Sequence, residues 1–241
     1  MSTKTHRIIV SDIPVDVIRK KIKNLHLAVY PPEGRVRVAA PLRVNDEAVR
    51  LAVISRLGWI RKQQAKFLGQ ERQSEREYLS GESHYFQGRR YRLTVIYHDA
   101  PPRVTVGVGG MQLHVRTGSN RDQRELVLQE WYRQQLKEQI PDLLAKWEEI
   151  IGVRTDAWGV KRMKTKWGTC NIAARRIWLN LELAKKPVRC LEYLIVHELV
   201  HLLERLHNDR FKALMDHFLP QWRVYKEELN HTSLAHEEWE Y

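Results

Sequence analysis

The stretch His197-Glu198-Leu199-Val200-His201 constrains this chain more than any other part of it. Leu191, Leu194, Ile195, Leu199, Leu202 and Leu203 recur around it at helical spacing, and Pro187 suits the start of the helix they imply. Residues four apart lie on the same side of an α-helix, one turn above each other. His197 and His201 can therefore turn two imidazoles toward one point, which is the geometry for gripping a single metal ion. Glu198 stands beside the first histidine, where its carboxylate can take a proton from an attacking water. Two histidines and a carboxylate are costly to bury in so apolar a helix without a partner. The pattern reads as a hydrolytic zinc site.

A catalytic zinc takes three protein ligands and keeps one position open. His207 is the best third ligand, although on a continuing helix it would lie about 80° from the direction of His197. The helix is therefore expected to end near Arg205 or Leu206, so that the chain can turn His207 back. Asn208 and Asp209 then read as the cap and first turn of another helix, through Phe211, Leu214, Met215 and Phe218. Such a reversal favours Gly or Asn in a left-handed conformation, and this chain has Leu206. Glu204, on the face of the histidine pair, and Asp216, Glu227 or Glu228, from later segments, are the alternative ligands. Tyr193, His217 and Tyr225 are candidates for stabilising an oxyanion.

The segment Lys164-Thr165-Lys166-Trp167-Gly168-Thr169-Cys170-Asn171 precedes Arg176-Ile177-Trp178-Leu179-Asn180 and the histidine helix, and His207-Asn208-Asp209-Arg210-Phe211 comes after it. Together these resemble the YgjP-type metallopeptidases, relatives of the SprT-like zincins. The resemblance is dense from Met163 to Leu229 and thinner before, where Ala40-Pro41 and Trp59-Ile60 look like the family's strand-then-helix region. It implies zinc held by His197, His201 and His207 with Glu198 as general base. The family often carries Asn before the third histidine, where Leu206 stands here. By resemblance, Arg176 to Leu181 is the strand that holds an extended peptide by backbone hydrogen bonds, with Trp167 to Asn171 as a nearby wall.

The chain has 241 residues, 43% hydrophobic and 29% charged, the balance of an ordinary globular protein. No apolar run reaches the roughly 20 residues of a membrane span, and Met1 to Arg7 lacks the apolar core of a secretory signal. Two cysteines, Cys170 and Cys190, form no framework, so a cytoplasmic setting is expected. The net charge of +12 is uneven: residues 1–120 hold 21 Lys and Arg against 10 Asp and Glu, the remainder 20 against 19. Arg19, Lys20, Lys21, Lys23, Arg61 and Lys62 make a second class of function worth carrying. In it, nucleic acid is the partner and the zinc site is structural, or the basic half brings a peptidase to DNA.

Along the chain, residues 23–41 read as a hairpin turning at Pro31-Pro32-Glu33-Gly34, and Asn45 caps a helix that continues past Gly58. A second β region runs from Tyr85 to Val115, with His84, His98 and His114 taken as surface residues. Arg121 to Ile150 is helical with Leu126, Trp131, Leu136, Leu143, Leu144 and Trp147 facing inward, and Pro141 either kinks it or starts a second helix. Short strands around Trp158, Trp167 and Trp178 come next, the first and last of these tryptophans expected in the core. The expected fold is α+β. Residues 1–118 form an N-terminal β-rich basic region with one helix, and residues 119–241 form a zincin-like metallopeptidase region acting on peptide or protein substrates.

Overall fold

The computed structural model describes residues 5–30, 33–68, 76–163 and 166–231. They form a mixed α+β structure in two compact units, one within Met1–Ser74 and one within Glu75–Leu234. The packing thus divides at Ser74 and not at residue 118, which lies in a turn inside the second unit. The reason is burial. Leu93, Met111 and Leu113 share one core with Leu128 and Tyr132 of the long helix, so the strands between residues 83 and 115 pack with that helix.

The first unit holds β1 (Thr5–Val10), β2 (Ile13–Lys20), β3 (His26–Tyr30) and β4 (Arg35–Pro41), in the order β1-β2-β4-β3. β3 and β4 make the expected antiparallel pair; Pro31 and Pro32 of its turn lie outside the described residues. β2 runs parallel to β4, pairing Val15 with Val36 and Lys20 with Pro41. Along β4, Val36, Val38 and Ala40 are buried and alternate with Arg35, Arg37 and Ala39, the period of a sheet with one covered face. Val49 and Val53 of α1 (Asp46–Ile54) and Ile60 of α2 (Leu57–Leu68) complete this core. Asn45 caps α1 through Ala48 N–H at 2.9 Å. The helix expected to be continuous breaks at Ser55-Arg56, where N–H groups reach back to Leu51 and Val53, and Gly58 lies inside α2.

The second unit contains β5 (Ser83–Phe86), β6 (Arg89–Tyr97), β7 (Arg103–Gly107) and β8 (Gly110–Val115) in the order β5-β6-β8-β7. α3 (Arg121–Ile151) comes after them, started by a capping box between Asn120 and Gln123 and ended by Gly152 at φ 74°. It runs through Pro141 without interruption. Leu128, Tyr132, Leu136, Ile140, Leu144, Trp147 and Ile151 form its buried stripe, whereas Leu126 is 64% exposed, contrary to the expectation from its spacing. Each apolar side chain so buried contributes about 1.5–3 kcal/mol. His84 and His114, expected at the surface, are buried. Burial, then Arg76 and Lys185, lower His84 to about 3, so it sits in the core neutral.

A three-stranded sheet comes next, with β9 (Ala157–Lys161), β10 (Gly168–Asn171) and β11 (Arg176–Asn180) in the order β10-β11-β9. Trp178 packs its ring where a Cβ on Gly159 would stand and is only half-buried. A 3₁₀ turn (Leu181–Lys185) leads into α4 (Val188–Val200), α5 (Asp209–Phe218) and α6 (Trp222–His231). Among the described residues, no helix is long and apolar enough to cross a membrane.

Candidate metal centre

α4 carries the central stretch. Pro187 is its N-cap, and its inner face buries Leu191, Leu194, Ile195 and Leu199. The β5–β6 turn seats the start of the helix: Gln87 and Gly88 donate N–H groups to the carbonyls of Ala184 and Lys185 at 2.9 and 3.1 Å. A Cβ on Gly88 would come within 2.7 Å of Pro187, so this approach needs glycine.

The helix ends earlier than its periodicity suggests, with His201 as C-cap. Leu202 and Leu203 N–H groups tighten onto Leu199 and Val200 at 2.9 Å, a 3₁₀-type finish. Glu204 then organises the reversal. Its carbonyl accepts from His201 Nδ1 at 3.1 Å, and its carboxylate accepts from Leu206 N–H at 3.2 Å. Leu206 is not among the residues with positive φ, so the turn proceeds without the left-handed backbone that would have required Gly or Asn. Asn208 caps α5 through Phe211 N–H at 2.9 Å.

The outcome is convergence. His207 Nε2 lies 3.0 Å from His197 Nε2 and 3.1 Å from His201 Nε2. Phe211, 2% exposed, packs against all three rings, with centroids 5.0, 4.7 and 4.8 Å from His197, His201 and His207. Its role was not legible in the sequence, where it reads as one apolar position of α5. Tyr193 abuts His197 edge-on at 5.8 Å, and His217 packs on Phe218. The other ligand candidates are held elsewhere. Glu204 caps the turn, Asp216 binds Arg223 and Trp222, and Glu228 binds Arg189.

These residues fit a cation. Burial, and then the charges of His201 and His207, lower His197 to about 3, which keeps that imidazole neutral, and burial also lowers His201. The Glu204 carbonyl takes the Nδ1 proton of His201 and leaves its Nε2 lone pair pointing at the other two rings. Three lone pairs this close repel unless a positive centre lies between them. Tetrahedral zinc with Zn–N near 2.0–2.1 Å sets its nitrogens about 3.3 Å apart, close to the spacing here. Three is also the number of metal-competent groups that meet at this point among the described residues.

Glu198 is 4% exposed and projects toward β10. Burial pushes its carboxyl up to about 8, against the pull of the Lys166 ammonium. A Cβ at Gly168 would stand 2.5 Å from Glu198 Oε1 and 3.0 Å from Cδ, so the strand yields a side chain's volume to this carboxylate. Gly168 has no positive φ; space, and not backbone freedom, requires glycine here. The approach to β10 is pinned by fully buried Asn180, whose Nδ2 donates to the carbonyls of Met163 and Lys166 at 2.8 Å each. Gly168→Ala is expected to displace the Glu198 carboxyl, cutting kcat by about 10-fold or more while metal content stays at the parental value. Parental kcat in that variant, measured beside its metal content, would show that the contact has no role.

The strand assigned by resemblance to hold a peptide, Arg176 to Leu181, needs correction. β11 lies between β10 and β9, so both of its edges are already paired. β10 is the edge strand facing Glu198, and among the described residues no strand pairs with its outer side.

Residues 23–232 match the model of the YgjP-like metallopeptidase domain. The chain belongs to the YgjP-like metallopeptidases. The match spans most of the chain and includes every residue of the histidine cluster, so this metallopeptidase is a hydrolase of peptide bonds. The crystal structure of the metallopeptidase zymogen of Pyrococcus abyssi abylysin is similar to it at 17% identity, covering 39% of this chain and 99% of that one, with a TM-score of 0.36. No curated protein matches the chain.

Proposed function

We propose that this metallopeptidase is zinc-dependent and cleaves within peptide chains, with His197, His201 and His207 holding the metal and Glu198 acting as general base. The carrying observation is the convergence of three imidazoles to 3.0–3.1 Å beside a buried carboxylate. A purely structural zinc is normally closed by four protein ligands. Three groups meeting here support a catalytic centre, and zincin-like is the reading of the unit that carries it. When bound, zinc supplies a Lewis acid that polarises the scissile carbonyl and acidifies the attacking water.

The chain's own residues do the rest. Glu198, beside the first histidine, takes a proton from the attacking water and returns it to the departing amine. The edge of β10, unpaired among the described residues, offers backbone N–H and C=O groups to an extended substrate, aligning its carbonyl beside Glu198. Phe211 and the Glu204 carbonyl hold the imidazoles in orientation. Both cysteines are thiols, which supports a cytoplasmic setting.

The purified full chain is expected to contain one zinc per molecule and to cleave a broad peptide library. A chelator should abolish cleavage and added zinc should restore it. Cleavage that persists undiminished after the metal has been removed would sink the proposal.

A further inference from the structure

The basic character of the first unit resolves, in three dimensions, into two populations. Residues 1–74 hold 15 Lys and Arg against 6 Asp and Glu. Several of these cations are committed internally. Arg7 and Arg35 clamp Asp16 at 2.8 and 2.6 Å, Arg19 binds Asp46 and the Val44 carbonyl, and Arg61 faces Asp12 at 3.8 Å. Lys20, Lys21, Lys23 and Arg43 are different. All four are exposed, and none makes an ion pair among the described residues.

These four line one recess of about 380 Å³, together with Ile22, Pro41 and Leu42 and with no carboxylate. The sheet topology brings them together. Because β2 and β4 are parallel and Lys20 pairs with Pro41, the segments that leave both strands emerge at the same end of the sheet. A tight turn, Ile22 N–H to the Lys20 carbonyl at 2.9 Å, then spreads the lysines around the opening.

We propose that this recess binds the phosphate backbone of a nucleic-acid strand through Lys20, Lys21, Lys23 and Arg43. Four exposed cations lining one recess, with no carboxylate in that lining among the described residues, attract a polyanion. Three of the four are lysines, compact point charges that contact phosphates without demanding the planar, two-point geometry by which arginine grips carboxylates. The recess is shallow and open, with Ile22, Pro41 and Leu42 beside the four cations and a volume of about 380 Å³. Its open mouth lets an extended sugar-phosphate backbone lie across the four cations. The inference is independent of the metal centre.

The test uses the full chain and fluorescence anisotropy with labelled single-stranded DNA across a salt series. The parent should bind with a steep salt dependence. Replacing Lys20, Lys21, Lys23 and Arg43 together by Gln should lower affinity at least about tenfold near physiological salt and flatten the log–log slope by roughly 3. A charge-matched control with Gln at Arg56, Arg90, Arg116 and Lys137 should lose much less. Unchanged peptide cleavage and melting would show that the recess variant is folded. The proposal is overturned if the parent does not bind, if recess and control variants lose equally, or if the recess substitutions affect only binding to phosphatidylserine vesicles.

Discussion

Glu198→Gln should leave zinc content unchanged and reduce kcat by about 10²- to 10⁴-fold, the usual range for a positioned acid–base group. The amide matches the carboxyl in shape, so Gly168 still accommodates it and the histidines next to it keep their packing. The ability to accept a proton is lost. Burial pushes the Glu198 carboxyl up, and glutamine puts no titratable group in its place. Metal analysis and steady-state kinetics on the same preparation check this. A Gln variant with parental turnover would assign the proton transfer to another group.

His207→Ala should be the more damaging change to the metal site itself. His207 Nε2 is within 3.1 Å of both other imidazoles, and it arrives on a separate segment through the turn that Glu204 holds. Its removal should weaken zinc by well over the roughly 10- to 100-fold typical of losing a supporting group behind a ligand. Competition with a chromophoric chelator measures that directly. Melting gives a second reading: at a zinc concentration 100 times its Kd the parent gains about 2.7 kcal/mol, and the variant at the same concentration should gain little. A variant that holds zinc as tightly as the parent would remove His207 from the ligand set and return the third position to the carboxylates.

Much of the centre was legible because its determinants are local. The spacing of His197 and His201 places their imidazoles on one side of any α-helix, and the Asn208 side chain caps the helix that begins beside it. The third histidine of the cluster was harder, since its position depends on a turn. The residue types point to an unfavourable reversal at Leu206, and the structure avoids the cost by placing the Glu204 carboxylate on the Leu206 N–H. Strand pairing was harder still. Arg176 to Leu181 takes the peptide-holding place only by resemblance, yet β9 and β10 lie on either side of it, and pairing partners distant in sequence leave no mark on a strand's own residues.

The same distinction separates the basic residues. Arg19 and Lys20 are neighbours in sequence with equal formal charge, yet Arg19 is taken up by Asp46 and Lys20 opens onto the recess. His84 likewise becomes buried only when the folded chain closes over it. Helical period, capping and the chemistry of the donors belong to residues within a turn or two of each other, and these the amino-acid order alone determined. Which histidine completes the triad, which glycine makes room for Glu198, which strand keeps a free edge and which lysines share an opening were decided by the tertiary structure. Each depends on packing between segments far apart in the chain, whose free energy no local pattern carries.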